Sequence, residues 1–169
     1  MIVKETELAG VKLIAGPMHE DFRGTNTEIF NLDKYYDTVG EINWKIDSVS
    51  TSRKHVLRGV HGDAKTYKLI SCLYGTIYLL VVDNRASSSN YKKWTSFTLS
   101  DINKLQVLVP PGFGNAHLVM SHKAVFHYKW SEYYDREAQF TIKWNDPEYE
   151  FWWPIKHPIL SERDAGERL

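Results

Sequence analysis

The sequence predicts an all-β protein whose strands fold into a jelly-roll barrel of two sheets. Short apolar segments of alternating polarity follow one another along the chain, and turn-forming Gly, Pro, Asn and Asp residues separate them. Long stretches of helical periodicity do not occur in it. Many short strands with such turns between them are typical of sandwiches and barrels. Because 169 residues would make two domains with thin cores, we expect a single domain over residues 1–169.

The expected strands are short and spread over most of the chain. In order, they cover residues 11–15, 27–31, 43–50, 55–61, 67–74, 76–83, 94–100, 106–110, 116–120, 124–130 and 139–144. Two segments, 32–39 and 160–169, carry the pattern of a short helix instead. Few short helices are therefore expected beside the barrel.

The charge balance argues against partners that bind through a global electrostatic field. Lys plus Arg and Asp plus Glu number 21 each, so neither nucleic acid nor a membrane surface is expected as a partner. An anionic ligand must then be held by local basic groups. The aromatic fraction of 14% is high, and aromatic side chains favour strands and line sites for ring-shaped ligands.

A reducing, cytoplasmic location is expected. The single cysteine, Cys72, excludes an intramolecular disulfide, and its apolar strand favours a buried, unreactive thiol. The N-terminal segment lacks the apolar run of a signal peptide, and no later segment is apolar enough to span a bilayer.

Side-chain alternation brings two polar groups to the interior of the expected barrel. The strand at 124–130 has one largely apolar face, formed by Ala124, Phe126, Tyr128 and Trp130. The hydroxyl of Tyr128 should therefore point inward, where a buried phenol needs a hydrogen-bond partner or has a functional role. Lys68 opens another strand and shares its face with Ile70, Cys72 and Tyr74. Its ammonium either enters the cavity or extends outward to solvent.

His61 lies at the position where many small β-barrel proteins have the first ligand of a metal site, but the other ligands are missing. Barrels of the cupin type typically supply a His-x-His pair, a Glu and a further His after a Pro-x-Gly turn. Here no second His follows His61 at that spacing, and Asn115 takes the place of the last ligand, with His117 two positions later. A site for a divalent metal usually needs three or more protein donors. No metal and no other cofactor is therefore expected.

Several short motifs occur in a fixed order along nearly the whole chain. They are Asp21-Phe-Arg-Gly24 with Glu28, Leu57-Arg-Gly-Val-His61, Lys68 before Cys-x-x-Gly, Val82-Asp-Asn-Arg85, Val109-Pro-Pro-Gly-Phe113, Tyr128 with Tyr134, Trp144-Asn-Asp-Pro147, Trp153-Pro154 and Leu160-Ser-Glu-Arg-Asp164. This series resembles the 3,5-epimerases that act on nucleotide-linked 4-keto-6-deoxy sugars. The resemblance implies a metal-free jelly-roll barrel of the cupin type, a homodimer, and a role in bacterial deoxysugar biosynthesis for surface polysaccharides.

The resemblance also implies roles for individual residues. His61 would be the catalytic base, Asp164 its orienting carboxylate, Lys68 a cation near the sugar ketone, and Tyr128 the acid on the opposite ring face. These roles suit the chemistry, because a ketone at C4 acidifies the C–H bonds at C3 and C5 and one proton must leave while another returns. An ammonium beside the developing enolate oxygen would supply electrostatic stabilisation.

Substrate-binding residues follow in the same way. Arg58 would bind the nucleotide diphosphate, and the neighbouring subunit would add Arg23 and Glu28 to complete the site. The remaining residues expected to bind the nucleotide sugar are Ser48, Asn115, His117 and Tyr134. An arginine in an apolar strand is costly to bury without an anionic partner, which also favours a functional Arg58.

The chain departs from the family pattern at several positions. Asn115 replaces a histidine of the family's Gly-Phe-Ala-His-Gly-Phe turn, and Ile46-Asp-Ser48 replaces an amide-rich segment that helps to recognise thymidine. The loop from His61 to Lys68 is short, and the chain ends soon after Asp164. A guanosine-linked sugar, including a heptose, is therefore an alternative to a thymidine-linked hexose, and inversion at one centre an alternative to inversion at both.

Other functions stay open at this point. A 3,4-ketoisomerase of the same barrel class would move the carbonyl group, and a catalytically silent protein would only bind the nucleotide sugar. A metal-dependent cupin enzyme is the remaining alternative. Each candidate residue also has a purely structural interpretation: His61 and Tyr128 as packed core residues, Lys68 as a solvated strand end, and Asp164 as part of a solvated tail.

Overall fold

The computed structural model describes residues 1–166, which form mainly β-structure. The strands are β1 (Ile2–Glu5), β2 (Lys12–Ala15), β3 (Met18–Asp21), β4 (Gly24–Thr27), β5 (Ile46–Arg53), β6 (Leu57–Gly62), β7 (Lys68–Tyr74), β8 (Thr76–Asp83), β9 (Trp94–Ser100), β10 (Leu105–Val109), β11 (Phe113–Val119), β12 (Lys123–Trp130) and β13 (Phe140–Thr141). The helices are α1 (Leu32–Val39) and α2 (Glu162–Ala165). No helix in this part of the chain is long and apolar enough to cross a membrane.

The strands form two antiparallel sheets and a separate hairpin. The first sheet has the order β1-β2-β10-β7-β12-β5, the second has the order β13-β6-β11-β8-β9, and β3 pairs with β4 alone. Strands that are distant in sequence lie side by side in both sheets, as in a jelly roll. The prediction of an all-β fold with few short helices is confirmed.

Alternation along each strand builds three layers of apolar packing. In β8, Ile77, Leu79 and Val81 point into the core between the two sheets. The alternate residues Leu80 and Val82 point outward, where the aromatic segment 142–160 covers the second sheet. Because both faces of β8 are covered, the strand is apolar almost throughout and nearly all of it is buried.

Helix α1 covers the outer face of the first sheet. Asn31 caps it by accepting a hydrogen bond from the backbone N–H of Lys34, at 3.2 Å. Tyr35 is the buried residue of the helix and packs over Ile14, Leu69 and Leu108. Its hydroxyl bonds to the amide of Gln106, which donates in turn to Ser71 Oγ at 2.8 Å.

The expected strand at 27–31 is wrong. Only Thr27 belongs to a strand, because Asn31 caps α1 and Glu28 accepts hydrogen bonds from Asn31 and Lys34. The strands β1 and β3 were not expected either. Half of the residues of IVKE and three of the four residues of MHED are polar, and β3 is exposed along its whole length.

A β-bulge alters the face expected to contain Lys68. The pairing of β12 with β7 shifts between Val125 and Phe126. Ile70 and Cys72 lie in the core, but Tyr74 is 56% exposed. The thiol of Cys72 is buried as expected, and burial raises its pKa to about 11.

Candidate active site

A cavity of about 460 Å³ opens between the two sheets. Strands β5, β7 and β12 of the first sheet form one wall, β6 and β11 of the second sheet form the other, and α2 lies beside them. The lining residues are Ile46, Ser48, Ser50, Arg58, His61, Lys68, Asn115, His117, Phe126, Tyr128, Trp130, Tyr134, Gln139, Ser161, Arg163 and Asp164. Three of these carry a basic charge and one an acidic charge, so the cavity suits an anionic ligand.

His61 and Asp164 form a pair at the wall of the cavity. His61 Nε2 lies 2.7 Å from Asp164 Oδ1, and no other described group hydrogen-bonds to either atom. Asp164 is held in place because Ser161 caps α2 by accepting its backbone N–H, at 3.2 Å. Burial opposes ionisation of the Asp164 carboxyl, but His61, Ser161 and the Gly59 backbone together outweigh this and lower its pKa. The carboxylate therefore fixes the ring, which leaves His61 Nδ1 available as a base.

Lys68 is a buried cation next to this pair. Its Nζ donates to Asn115 Oδ1 at 2.8 Å and to the backbone oxygen of His61 at 3.3 Å, and it lies 5.3 Å from the centre of the Trp130 ring. The residue is only 5% exposed. Burial lowers the pKa of Lys68 to about 8, with Asp63 acting against the shift. The ammonium therefore points into the cavity and not to solvent.

Tyr128 approaches the cavity from the sheet opposite His61. Its ring packs between Phe126 and Trp130, with centroid separations of 4.9 and 5.3 Å. Burial raises the pKa of Tyr128, Arg58 opposes that shift and Tyr134 adds to it. The phenol is consequently protonated near neutral pH and can donate a proton. Tyr134 follows as the next aromatic, with its ring edge-on to Trp130 at 5.7 Å.

Two arginines contribute to the cationic lining. Arg58 is exposed and its Nε donates to Ser52 Oγ at 3.0 Å. The pleat of β6 turns Arg58 towards the open part of the cavity, so its charge is not buried. Arg163 donates to Thr141 Oγ1 from Nε at 3.1 Å and from Nη2 at 2.9 Å. Sequence reasoning did not select Arg163.

Most of the residues expected to act or bind meet in this one cavity. Those that line it are His61, Lys68, Tyr128, Asp164, Ser48, Arg58, Asn115, His117 and Tyr134. Arg23 and Glu28 do not: they lie on and just after the β3–β4 hairpin, where Arg23 pairs with Asp21 and Glu28 with Lys34. Their expected place is the cavity of a neighbouring subunit.

Four polar lining residues were missed by the sequence reasoning, namely Ser50, Gln139, Ser161 and Arg163. Alternation after Ser48 could have found Ser50, because both lie on the inner face of β5. Ser161 could have been found as the cap of a helix that contains Asp164. Gln139 opens the expected strand at 139–144, of which only Phe140–Thr141 is a strand, so alternation does not place its side chain.

Three polar atoms of the cavity wall are buried without a partner in residues 1–166. They are Ser50 Oγ, His117 Nε2 and Trp130 Nε1. An unpaired buried polar group costs roughly 1–3 kcal/mol, so a ligand that bonds to these atoms gains affinity. In the same residues no three His, Cys, Asp or Glu side chains gather in a way that could hold a metal ion.

Comparison with known proteins identifies the family. A family model described as dTDP-4-dehydrorhamnose 3,5-epimerase matches residues 5–169. The chain belongs to this family. A dTDP-4-dehydrorhamnose 3,5-epimerase of Escherichia coli K12 is 36% identical over 174 residues, which cover 100% of this chain and 93% of the relative. The expected family is therefore confirmed, and with it the assignment of the protein to the epimerases, a class of isomerases.

Two further relatives extend this comparison. The crystal structure of a 3,5-epimerase from Legionella pneumophila, in complex with dTDP-4-keto-L-rhamnose, superposes with a TM-score of 0.93. It is 33% identical, and the match covers 98% of this chain and 90% of that one. This agreement confirms the jelly-roll barrel of the cupin type. A dTDP-4-dehydrorhamnose 3-epimerase of Streptomyces niveus is 28% identical over 176 residues, covering 100% of this chain and 84% of the relative.

Proposed function

We propose that the protein epimerises a nucleotide-diphosphate-linked 4-keto-6-deoxy sugar without a cofactor, with a thymidine-linked hexose as the preferred substrate. The observation that carries this is the position of His61 and Tyr128, which reach one cavity from opposite sheets. A sugar ring held between them has a base on one face and an acid on the other. The names of the relatives support the choice of thymidine and of the 4-keto sugar.

Proton transfer takes place at a carbon next to the ketone. His61, oriented by Asp164, removes the proton from C3 or C5, and the electron pair of that C–H bond is delocalised onto the C4 oxygen as an enolate. Lys68 stabilises the enolate oxygen, since its ammonium is buried and lies beside the base. Tyr128 then returns a proton to the carbon from the other face, and the ketone is restored with inverted configuration. Solvent reprotonates Tyr128 and takes the proton from His61.

The nucleotide diphosphate is held at the cationic side of the cavity. Arg58 is exposed there and unpaired with any carboxylate in residues 1–166, so it can bind phosphate oxygens. The segment 46–48 is the one that differs from the amide-rich segment of the family. Ile46 and Ser48 line the cavity, whereas Asp47 points away from it and its Oδ1 lies 2.8 Å from His127 Nε2. Recognition of the base would thus involve Ile46 and Ser48, and a guanosine-linked sugar or a heptose is the alternative substrate.

Deuterium incorporation tests the proposed function. The protein would be incubated in D₂O with thymidine- and guanosine-linked 4-keto-6-deoxy hexoses and a heptose, and deuterium located by mass spectrometry and NMR. Deuterium at both C3 and C5 is expected. Deuterium at one carbon would indicate a single-centre epimerase, and a product with its carbonyl moved would indicate a 3,4-ketoisomerase. Absence of exchange despite tight binding would overturn the proposal in favour of a silent binding protein.

Matched histidine variants connect this result to the site. His61→Asn should abolish exchange while nucleotide binding is retained. The control is His157→Asn, because His157 is an exposed residue outside the cavity. Equal exchange rates in the two variants would remove His61 from the mechanism.

We further propose a homodimer in which Arg23 and Glu28 of one subunit complete the cavity of the other. Supporting this, neither residue lines the cavity of its own chain; Arg23 lies in the turn of a hairpin that pairs with neither sheet of the described residues, and Glu28 directly follows it. Co-expressing Arg23→Ala with His61→Asn tests it, since a mixed dimer would contain one intact site. Activity that returns in the mixture is expected. Two inactive proteins that stay inactive when mixed would show that Arg23 serves its own subunit.

A further inference from the structure

Ser50 and His117 both neighbour Phe126 at one end of the cavity. Ser50 lies directly opposite Phe126 in the β5–β12 ladder. His117 belongs to the other sheet and stacks on Phe126, with a centroid separation of 3.9 Å and an interplanar angle of 11°. Ser50 Oγ and His117 Nε2 are both buried and have no partner in the described chain. Two unpaired polar atoms from opposite sheets thus border the same end of the cavity.

This end of the cavity suits an uncharged hydrogen-bonding group. His117 is 3% exposed, and burial together with nearby Arg58 lowers its pKa to about 3, with Asp164 opposing the shift. Its imidazole is therefore neutral at physiological pH, with one nitrogen that donates and one that accepts. The hydroxyl of Ser50 can also donate or accept. A hydroxyl group, which needs both kinds of partner, fits this pair better than a phosphate or carboxylate does.

The position of Ser50 and His117 in the cavity places them next to one edge of the expected substrate. Arg58 lies directly opposite His117 in the β6–β11 ladder, so the pair is adjacent to the expected diphosphate site. Lys68 lies opposite Trp130, which is four residues along β12 from Phe126. At the usual rise of a strand this separates the two ends by roughly 13 Å. A sugar whose ketone faces Lys68 therefore turns its diphosphate-bearing edge towards Arg58 and His117.

The chemistry of the sugar selects one hydroxyl group. A 4-keto-6-deoxyhexose that is linked through C1 has hydroxyls only on C2 and C3. The C3 hydroxyl changes orientation when C3 is inverted, whereas the C2 hydroxyl is unchanged and is adjacent to C1. We propose that Ser50 and His117 bind the hydroxyl on C2 of the sugar, and that the enzyme thereby selects substrates with a hydroxyl at this position. The inference rests on the proposed function.

A comparison of the substrate with its analogue lacking the C2 hydroxyl tests this inference. The kcat/KM for deuterium incorporation would be measured for wild type, Ser50→Ala and His117→Phe, with Ser89→Ala as an exposed control outside the cavity. Wild type should prefer the parent sugar by roughly three- to tenfold for each hydrogen bond. Each cavity variant should lose this preference by acting more slowly on the parent sugar while its rate on the analogue stays the same.

Two outcomes would overturn the inference. Wild type could process both sugars equally well, or each variant could lose the same factor with both sugars. His117→Phe keeps the stacking on Phe126, and if it does not fold, Ser50→Ala alone decides the question. If wild type exchanges no deuterium with either sugar, the proposed function fails; calorimetric binding of the two sugars then still decides whether the C2 hydroxyl is recognised.

Discussion

Lys68 Nζ donates a hydrogen bond to Asn115 Oδ1 over 2.8 Å, inside a cavity where the lysine is only 5% exposed. Asn115 thus stands where the family pattern has a histidine and uses its carbonyl oxygen to hold the ammonium. It also lies opposite His61 in the β6–β11 ladder, so it positions Lys68 beside the expected base. A neutral acceptor compensates only part of the cost of burying a charge, which agrees with the lowered pKa of Lys68.

Asn115→Asp should therefore move the alkaline limb of the activity profile. Because burial lowers the pKa of Lys68 to about 8, activity should decline above that pH as the ammonium loses its proton. A carboxylate in contact with the ammonium favours the charged form, so the limb should move up by roughly 1 unit or more. The measurement is the pH dependence of kcat, since the new negative charge also raises KM for an anionic substrate.

Asn115→Ala should shift the same limb in the opposite direction, because it removes the acceptor and leaves the charge less compensated. Asn145→Asp serves as the control, since Asn145 is exposed and lies outside the cavity. If all three variants retain the wild-type pH profile, the protonation of Lys68 does not set the alkaline limb.

Tyr128→Phe should separate proton removal from inversion. The variant keeps the ring between Phe126 and Trp130 but loses the acid, while His61 remains. Exchange of the substrate's own C–H with solvent should persist, whereas formation of the inverted product should fall by roughly 10²–10⁴-fold. NMR of the reaction in D₂O measures both quantities at once. Tyr74→Phe is the control, because Tyr74 is exposed, and it should change neither the exchange rate nor the rate of product formation. Loss of exchange in Tyr128→Phe would mean that Tyr128 is itself needed to form the enolate.

Arg58→Gln should weaken binding with little effect on the chemical step. Glutamine can still donate to Ser52 Oγ but cannot pair with a diphosphate as a cation. Loss of a charge-assisted bond predicts a rise in KM of roughly 10- to 100-fold with kcat nearly unchanged. Arg53→Gln is the control, since Arg53 is exposed at the end of β5 and outside the cavity. A fall in kcat without a rise in KM would place Arg58 in catalysis and not in binding.

Period-two alternation predicted most of the inner surface of the barrel. It placed Tyr128 and Trp130 on the face that lines the cavity, and the structure brings both there. It failed at Tyr74, where the bulge between β7 and β12 turns the side chain outward. It also failed for 27–31, where helix capping by Asn31 prevailed over the extended propensity of the segment.

The site itself was predicted from motif order more than from local physics. The C-terminal segment at Asp164 reads as a solvated tail on charge alone, yet the residue is buried and touches His61. Only tertiary packing shows that Arg163 is directed into the cavity by Thr141, or that His117 lies with an unpaired nitrogen over Phe126. Such contacts join residues distant in sequence, so no local pattern can specify them.

His117→Phe should make the fold more resistant to acid. In the folded chain the pKa of His117 is lowered to about 3, from an ordinary value of 6.5. The unfolded chain thus binds more protons between these values, and stability must fall as the pH is lowered through this window. Between pH 7 and pH 5 the titration of His117 should lower the free energy of unfolding of the wild type by about 2 kcal/mol, and the variant should not show this decrease.

Urea unfolding at both pH values, at one protein concentration, measures the difference between wild type and His117→Phe, with exposed His122→Gln as the control. An equal loss of stability in wild type and His117→Phe would show that the imidazole takes up its proton over the same pH range in the folded and the unfolded chain, so that burial does not keep it neutral below pH 6.5.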